Sequence, residues 1–111
     1  MKRKDKLPEL LSPAGSPAAM YAAVEAGADA VYLGGRAFGA RAYAKNFDAA
    51  EMAAAVTYCH LHGVKVYVTV NTLIYDREMD AAVAYGRELS AMGADAVIAT
   101  DPGLMMRLRA W

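Results

Sequence analysis

Two hydrophobic rhythms alternate along the chain. Short, unbroken apolar runs stand at Ala30-Val31-Tyr32-Leu33, from Val64 to Val70, and at Ala96-Val97-Ile98-Ala99. Runs of this length suit strands buried on both faces of a parallel sheet. A weaker run, Glu9-Leu10-Leu11-Ser12, predicts an earlier strand. Between the runs, apolar residues recur at helical spacing. Met52, Val56, Cys59 and Gly63 share one face, as do Met79, Val83, Gly86 and Leu89. The predicted order is β-α-β-α-β-α-β-α, the alternation of an α/β fold with a parallel sheet.

The units repeat. Gly-Ala-Asp-Ala-Val occurs at 27–31 and again at 93–97, and Gly63-Val64-Lys65-Val66-Tyr67 occupies the same place in a third copy. Each glycine comes after a helical stretch, where a left-handed residue just past the last turn closes the helix. Their spacing of roughly 30 residues is that of one strand–helix unit. Helix starts are marked by Ser16-Pro17, by Asp48 to Glu51 as a capping box, by Asp76 as a cap for the third helix, and by Asp101-Pro102. The junction Ser12-Pro13-Ala14-Gly15-Ser16-Pro17 lacks the three glycines of a dinucleotide-binding turn. Regular units without a switch point favour a barrel over an open sheet. Four units match half of an eight-unit barrel of ~250 residues. The expectation is the N-terminal half of a TIM-like (β/α)8 barrel over residues 7–111, cut within the fourth helix, behind a basic tail at 1–6.

Composition narrows the function. Apolar residues make up 57% of the chain and charged residues 22%, which excludes a disordered polyelectrolyte. Lys+Arg and Asp+Glu both number 12, so nothing supports sequence-independent polyanion binding. Any phosphate contact must be local. One cysteine excludes a disulfide framework and a multi-cysteine cluster made by this chain alone. No apolar run reaches the ~20 residues of a membrane span. The basic start leads into Pro8-Glu9-Leu10-Leu11 rather than a long apolar stretch, which argues for the cytoplasm.

Chemistry in such a fold gathers where strands end and the adjoining loops begin. The first junction offers Ser12 and Gly15 with backbone amides at a helix N-terminus, suited to an anion or simply to a tight turn. The second, from Gly34 to Phe47, is long and holds Gly34, Gly35, Arg36, Arg41, Tyr43, Lys45 and Asn46. Guanidinium forks suit carboxylate or phosphate, and aromatic faces stack on rings. Asn71 ends the third strand and Asp101 comes after the fourth. Cys59 reads as a buried structural thiol, and His60 and His62 sit at the opposite end of the strands from these loops. No metal site and no catalytic triad is read from the pattern.

The segments LSPAGS, AVYLGG, FGARAYAKNF, VNTLIYD and GADAVIATDPG, spread from about Leu7 to Gly103, resemble the N-terminal part of peptidase family U32, the collagenase-like proteases of unassigned catalytic type. The resemblance implies a bacterial cytoplasmic (β/α)-barrel enzyme. Family members are described as peptidases, and others hydroxylate RNA bases or a quinone precursor without oxygen. It further implies an iron–sulfur cluster on cysteines of a later region, and prephenate as a small carboxylate donor in the RNA-modifying members. Peptide or RNA is the substrate to expect. On this reading Ser12, Gly15, Gly34, Gly35, Arg36, Arg41, Tyr43, Lys45, Asn46, Asn71 and Asp101 line part of a substrate mouth, with no cofactor held by the chain itself and catalytic residues unassigned. The competing reading is a non-catalytic fragment that self-associates through its open edges or pairs with a missing C-terminal half.

Overall fold

The computed structural model describes residues 7–35, 38 and 47–110. The elements run β1 (Leu11–Pro13), α1 (Pro17–Glu25), β2 (Ala30–Gly34), α2 (Ala49–Leu61), β3 (Lys65–Val70), a 3-10 turn (Asp76–Glu78), α3 (Met79–Met92), β4 (Ala96–Ala99) and α4 (Pro102–Arg109). All strand pairs are parallel, and the sheet order is the chain order, β1-β2-β3-β4. The α/β class and the alternation are those the sequence predicts.

Register divides the sheet into two unlike faces. Ser12, Val31 and Val66 align across three strands, and Leu33, Val68 and Val97 lie two residues further along. This face carries the core. Val31, Leu33, Val66, Val68 and Val70 are almost wholly buried with Met20 and Ala23 of α1, Met52, Val56 and Cys59 of α2, Val83 and Leu89 of α3, and Leu104 of α4. The alternate positions Pro13, Tyr32, Tyr67 and Ala96 form a row on the other face, with Gly34, Thr69 and Ile98 beyond them. Tyr32, Tyr67 and Thr69 there are half-buried and Ile98 is exposed, so this face has no layer over it among the described residues.

The repeats close their helices as read. Gly27, Gly63 and Gly93 all have positive φ, at 97°, 72° and 95°, where a Cβ would be strained. The aspartates of the two Gly-Ala-Asp-Ala-Val copies then do the same job. Asp29 Oδ2 accepts the Leu10 N–H at 2.6 Å, and Asp95 Oδ2 accepts the Val66 N–H at 2.7 Å. Each carboxylate thus straps the start of one strand to the start of its neighbour. In the middle copy Lys65 replaces the aspartate and reaches Glu9 Oε2 at 3.4 Å. Tyr67 donates its hydroxyl to the other Glu9 oxygen at 2.5 Å, which pushes its own pKa up to about 12.

Two boundaries differ from expectation. The first strand pairs over Leu11–Pro13 rather than Glu9–Ser12, because the Leu10 N–H goes to the Asp29 side chain and Glu9 is used through its carboxylate. Asp76 does not cap the third helix. It opens the 3-10 turn, α3 starts at Met79, and Glu78 reaches back to the Tyr75 N–H at 3.3 Å. The other starts stand: Ser16 accepts from Ala19 N, Asp48 and Glu51 form a complete capping box, and Asp101 accepts from Leu104 N.

The Asp95 strap carries a pH signature. Burial disfavours its charge, but the Val66 N–H, the His60 ring with Nε2 at 2.7 Å, and Lys65 outweigh that and hold its pKa below the ordinary carboxylate range. A depressed folded pKa stabilises the fold fully above the unfolded value of ~3.9 and loses that share as pH falls through the folded value. Asp95→Asn is therefore expected to flatten part of the acid limb of a stability–pH curve. Thermal melts between neutral and acidic pH check this, and an unchanged acid limb would count against the strap.

Candidate functional site

The C-terminal ends of β2, β3 and β4 lie side by side because the strands are parallel and in chain order. The segments leaving these ends are tied together by hydrogen bonds. Thr72 Oγ1 donates to the Phe38 carbonyl at 3.2 Å, joining the segment after β3 to that after β2. Ile74 N–H donates to Asp101 Oδ2 at 2.8 Å, joining the same segment to the start of α4. The other Asp101 oxygen accepts from Leu104 N at 3.0 Å. These backbone donors, Ile74 first and Leu104 next, hold the Asp101 pKa below the usual carboxylate range. Asp101 is buried and its charge is spent on shaping the loops.

Beneath these loops the floor is tight. Gly35 bridges to Phe47, whose N–H donates to the Gly34 carbonyl at 3.0 Å. Phe47 is 1% exposed, so both ends of the long second junction are pinned into the core. A Cβ on Gly35 would run into the Tyr85 hydroxyl and lie 3.1 Å from Met52 Cε. The Tyr85 hydroxyl is buried without a hydrogen-bond partner among the described residues. Its pKa is raised, by burial and then by Glu88. Phe38 packs against the Tyr85 ring at 5.9 Å between centroids. Its φ of 57° is the left-handed region that a bulky side chain enters only when its surroundings hold it there.

The predicted site residues divide three ways. Arg36, Arg41, Tyr43, Lys45 and Asn46 lie outside the described residues. Gly34, Gly35, Asn71 and Asp101 sit at the shared strand ends, with Gly34 beside Thr69 on the uncovered face and Asn71 half-buried just past β3. Ser12 falls in register with Val31 and Val66, on the helix-covered face, and its hydroxyl donates to the Pro13 carbonyl at 3.3 Å. Gly15 is exposed beside the Ser16 cap. Sequence reading missed Thr72, Ile74 and Tyr85. Thr72 stands next to Asn71 and was legible as a hydroxyl at a strand end. Tyr85 gave no signal, because a tyrosine on a helix face is ordinary core.

Cys59 is fully buried in α2, and its thiol is pushed up by burial and by Asp95. An iron–sulfur cluster takes four thiolate ligands. With one buried thiol in the whole sequence, this chain's residues do not fit that group. His60 serves the Asp95 strap, and His62 Nδ1 donates to the Tyr58 carbonyl at 2.8 Å. No helix among the described residues is long and apolar enough to cross a membrane.

Comparison with known proteins gives consistent matches. Residues 15–111 match the model of peptidase family U32. Over 97 residues, 87% of the chain, it is 42% identical to the 23S rRNA 5-hydroxycytidine C2501 synthase of Escherichia coli, covering 15% of that protein. It is 39% identical over 97 residues, again 87% of the chain, to tRNA hydroxylation protein P1 of Bacillus subtilis, covering 23% of it. A collagenase of Porphyromonas gingivalis is 36% identical over 99 residues, 88% of the chain and 24% of that protein. The chain thus spans between 15% and 24% of the length of these three relatives. No solved structure matches.

Proposed function

Since this chain belongs to peptidase family U32, we propose that it forms half of a (β/α)8 barrel and builds one side of a mouth that receives an RNA base for hydroxylation. Support for the barrel comes from the singly wound order β1-β2-β3-β4, with the core on one sheet face and Tyr32, Tyr67, Thr69 and Ile98 on the other. Support for RNA comes from the names of the two relatives with 42% and 39% identity, above the 36% of the collagenase. The observation that carries the reading is the loop tie at the strand ends. Phe38–Thr72 and Ile74–Asp101 lock three consecutive loops into one rim.

Within that rim the roles come from side-chain chemistry. Arg36, Arg41 and Lys45 would meet phosphate or a small carboxylate such as prephenate, and Tyr43 would stack on a base. Asn46 and Asn71 would orient the base edge or the donor, and Gly34 and Gly35 let backbone approach closely. Gly15, with the Ser12–Ser16 turn, adds amides at the start of α1. Asp101 acts by holding the rim rather than by touching substrate. The chain's own residues bind and orient, in the cytoplasm where rRNA and tRNA are modified.

Cells lacking the gene and cells carrying it supply the test. Nucleosides from their rRNA and tRNA are compared by mass spectrometry, and a pyrimidine gaining one oxygen only in the second strain is expected. Arg41→Ala and Asn46→Ala should each lower that yield at least tenfold while leaving the melting temperature nearly unchanged. Identical nucleosides in both strains, with peptides released from gelatin by the purified protein, would overturn the RNA reading in favour of peptide hydrolysis.

A further inference from the structure

The segment that carries the chain from β3 to α3 holds side chains for which the core has no use. Ile74 is buried in the core, while Leu73 and Tyr75 on either side of it are 72% and 67% exposed. An extended backbone alternates in this way, and Tyr75 is extended, with φ −69° and ψ 150°. The backbone beneath these side chains is nevertheless fastened. Asp101 holds the Ile74 N–H, the Tyr75 N–H donates to Glu78 Oε1 at 3.3 Å, and the Tyr75 carbonyl accepts from Glu78 N at 2.8 Å. Two large apolar side chains thus stand in solvent on a fixed support, beside the bonds that tie the strand ends together. Their apolar surface does nothing for the fold while it stays in water, and a support ordered in advance lowers the entropy cost of binding.

Charge indicates what this support takes. The Arg77 guanidinium carbon lies 4.9 Å from the centre of the Tyr75 ring, within cation–π range. No carboxylate among the described residues forms an ion pair with Arg77, whereas Lys65 has Glu9 and Arg107 has Asp80. Of the neighbouring acids, Glu78 is engaged by the Tyr75 N–H and Asp80 by Arg107, and Asp76 is exposed. No other ring packs on Tyr75 among the described residues, so the face turned away from Arg77 is open to a planar group. We infer that Tyr75, backed by Arg77, is a stacking site for one unpaired base of a single-stranded RNA, with Arg77 meeting an adjoining phosphate and Leu73 the edge of the base. A ring and a guanidinium side by side suit any unstacked nucleotide, whereas a duplex keeps its base faces covered. The chain's net charge is zero, so stacking rather than bulk attraction supplies the affinity. An extended peptide finds no main-chain pairing at Tyr75, because Glu78 takes both its N–H and its carbonyl. The site grips a nucleotide beside the target and so fixes where the strand crosses the rim.

This rests on the RNA reading and adds to it a contact away from the reacting base. Fluorescence anisotropy of the purified chain, with a labelled oligouridylate of about 12 nucleotides and with an RNA duplex of equal length, tests it. The single strand is expected to bind at least tenfold more tightly than the duplex. Tyr75→Ala should weaken single-strand binding about tenfold with an unchanged melting temperature, and Tyr75→Phe should stay within about twofold of wild type. Arg77→Ala should lower the logarithmic salt slope by about 0.7, and Asp76→Asn should tighten binding about twofold. A 5-iodouridine version of the strand, irradiated in the complex, should couple to Tyr75, as located by mass spectrometry. Equal binding by wild type and Tyr75→Ala, coupling confined to other residues, or no binding at roughly 100 micromolar would each overturn the site. Capture of a gelatin peptide through Tyr75 in place of the oligonucleotide would also do so, in favour of a peptide platform. The nucleoside comparison separates the two readings. Oxygenated pyrimidine in the cells together with normal RNA binding by Tyr75→Ala removes this site alone, whereas identical nucleosides in both strains remove the RNA reading itself.

Discussion

Phe47→Ala is expected to take most of the stability out of this fold. The ring is 1% exposed and is the largest of the fully buried side chains. Removing such a ring costs about 3–5 kcal/mol, from lost transfer energy and from the cavity left behind. A small domain holds only ~5–15 kcal/mol in total. The position magnifies the loss, because the Phe47 N–H also closes the bridge to Gly34 and starts the approach to α2. Urea titration followed by circular dichroism should show the midpoint falling by roughly 2 M at an ordinary slope. Phe47→Leu should lose about a third as much. A cost below ~1 kcal/mol would place Phe47 outside the core.

The second large effect lies at Gly35. An added methyl meets the Tyr85 hydroxyl and the Met52 methyl, both in a packed interior. Overpacking of this kind costs about 1–3 kcal/mol. The hydroxyl it meets gains nothing from hydrogen bonding among the described residues, so Tyr85→Phe alone should leave stability level or slightly higher. The double variant Gly35→Ala/Tyr85→Phe should then recover most of the loss, since the ring carbon behind the hydroxyl is 3.4 Å from the new methyl. A double-mutant cycle by thermal and chemical melts reads this directly. Simple additivity of the two changes would show that the clash is relieved elsewhere.

Much of the fold was legible because its signals are local. The apolar runs, the glycine stops and the Ser16, Asp48 and Asp101 caps depend on a few neighbouring residues, and each stands in the structure. Asp76 misled because a proper cap and a 3-10 opening share the same residue type, and only the Tyr75–Glu78 contact separates them. The site was legible only as positions. Gly35 and Asp101 stand at strand ends, as their places in the pattern imply, but their partners are far along the chain. Asp101 meets Ile74 across 27 residues and Thr72 meets Phe38 across 34. Pairings at that distance leave no periodic trace. Ser12 shows the same limit from the other side: a strand residue's direction is set by register, and a three-residue strand gives too little alternation to read it.

The aspartate straps have a consequence for how such a molecule can be extended. Each aspartate fastens its strand start to an immediate neighbour, by one carboxylate and one amide, while the lysine in that place of the middle unit reaches past β2 to Glu9 ahead of β1. Nothing in the aspartate latch counts how many units precede it. A copied segment inserted beside its original would arrive carrying its own latch. The architecture is therefore lengthened by duplication without redesign, and the two identical five-residue stretches are the form such copying would take.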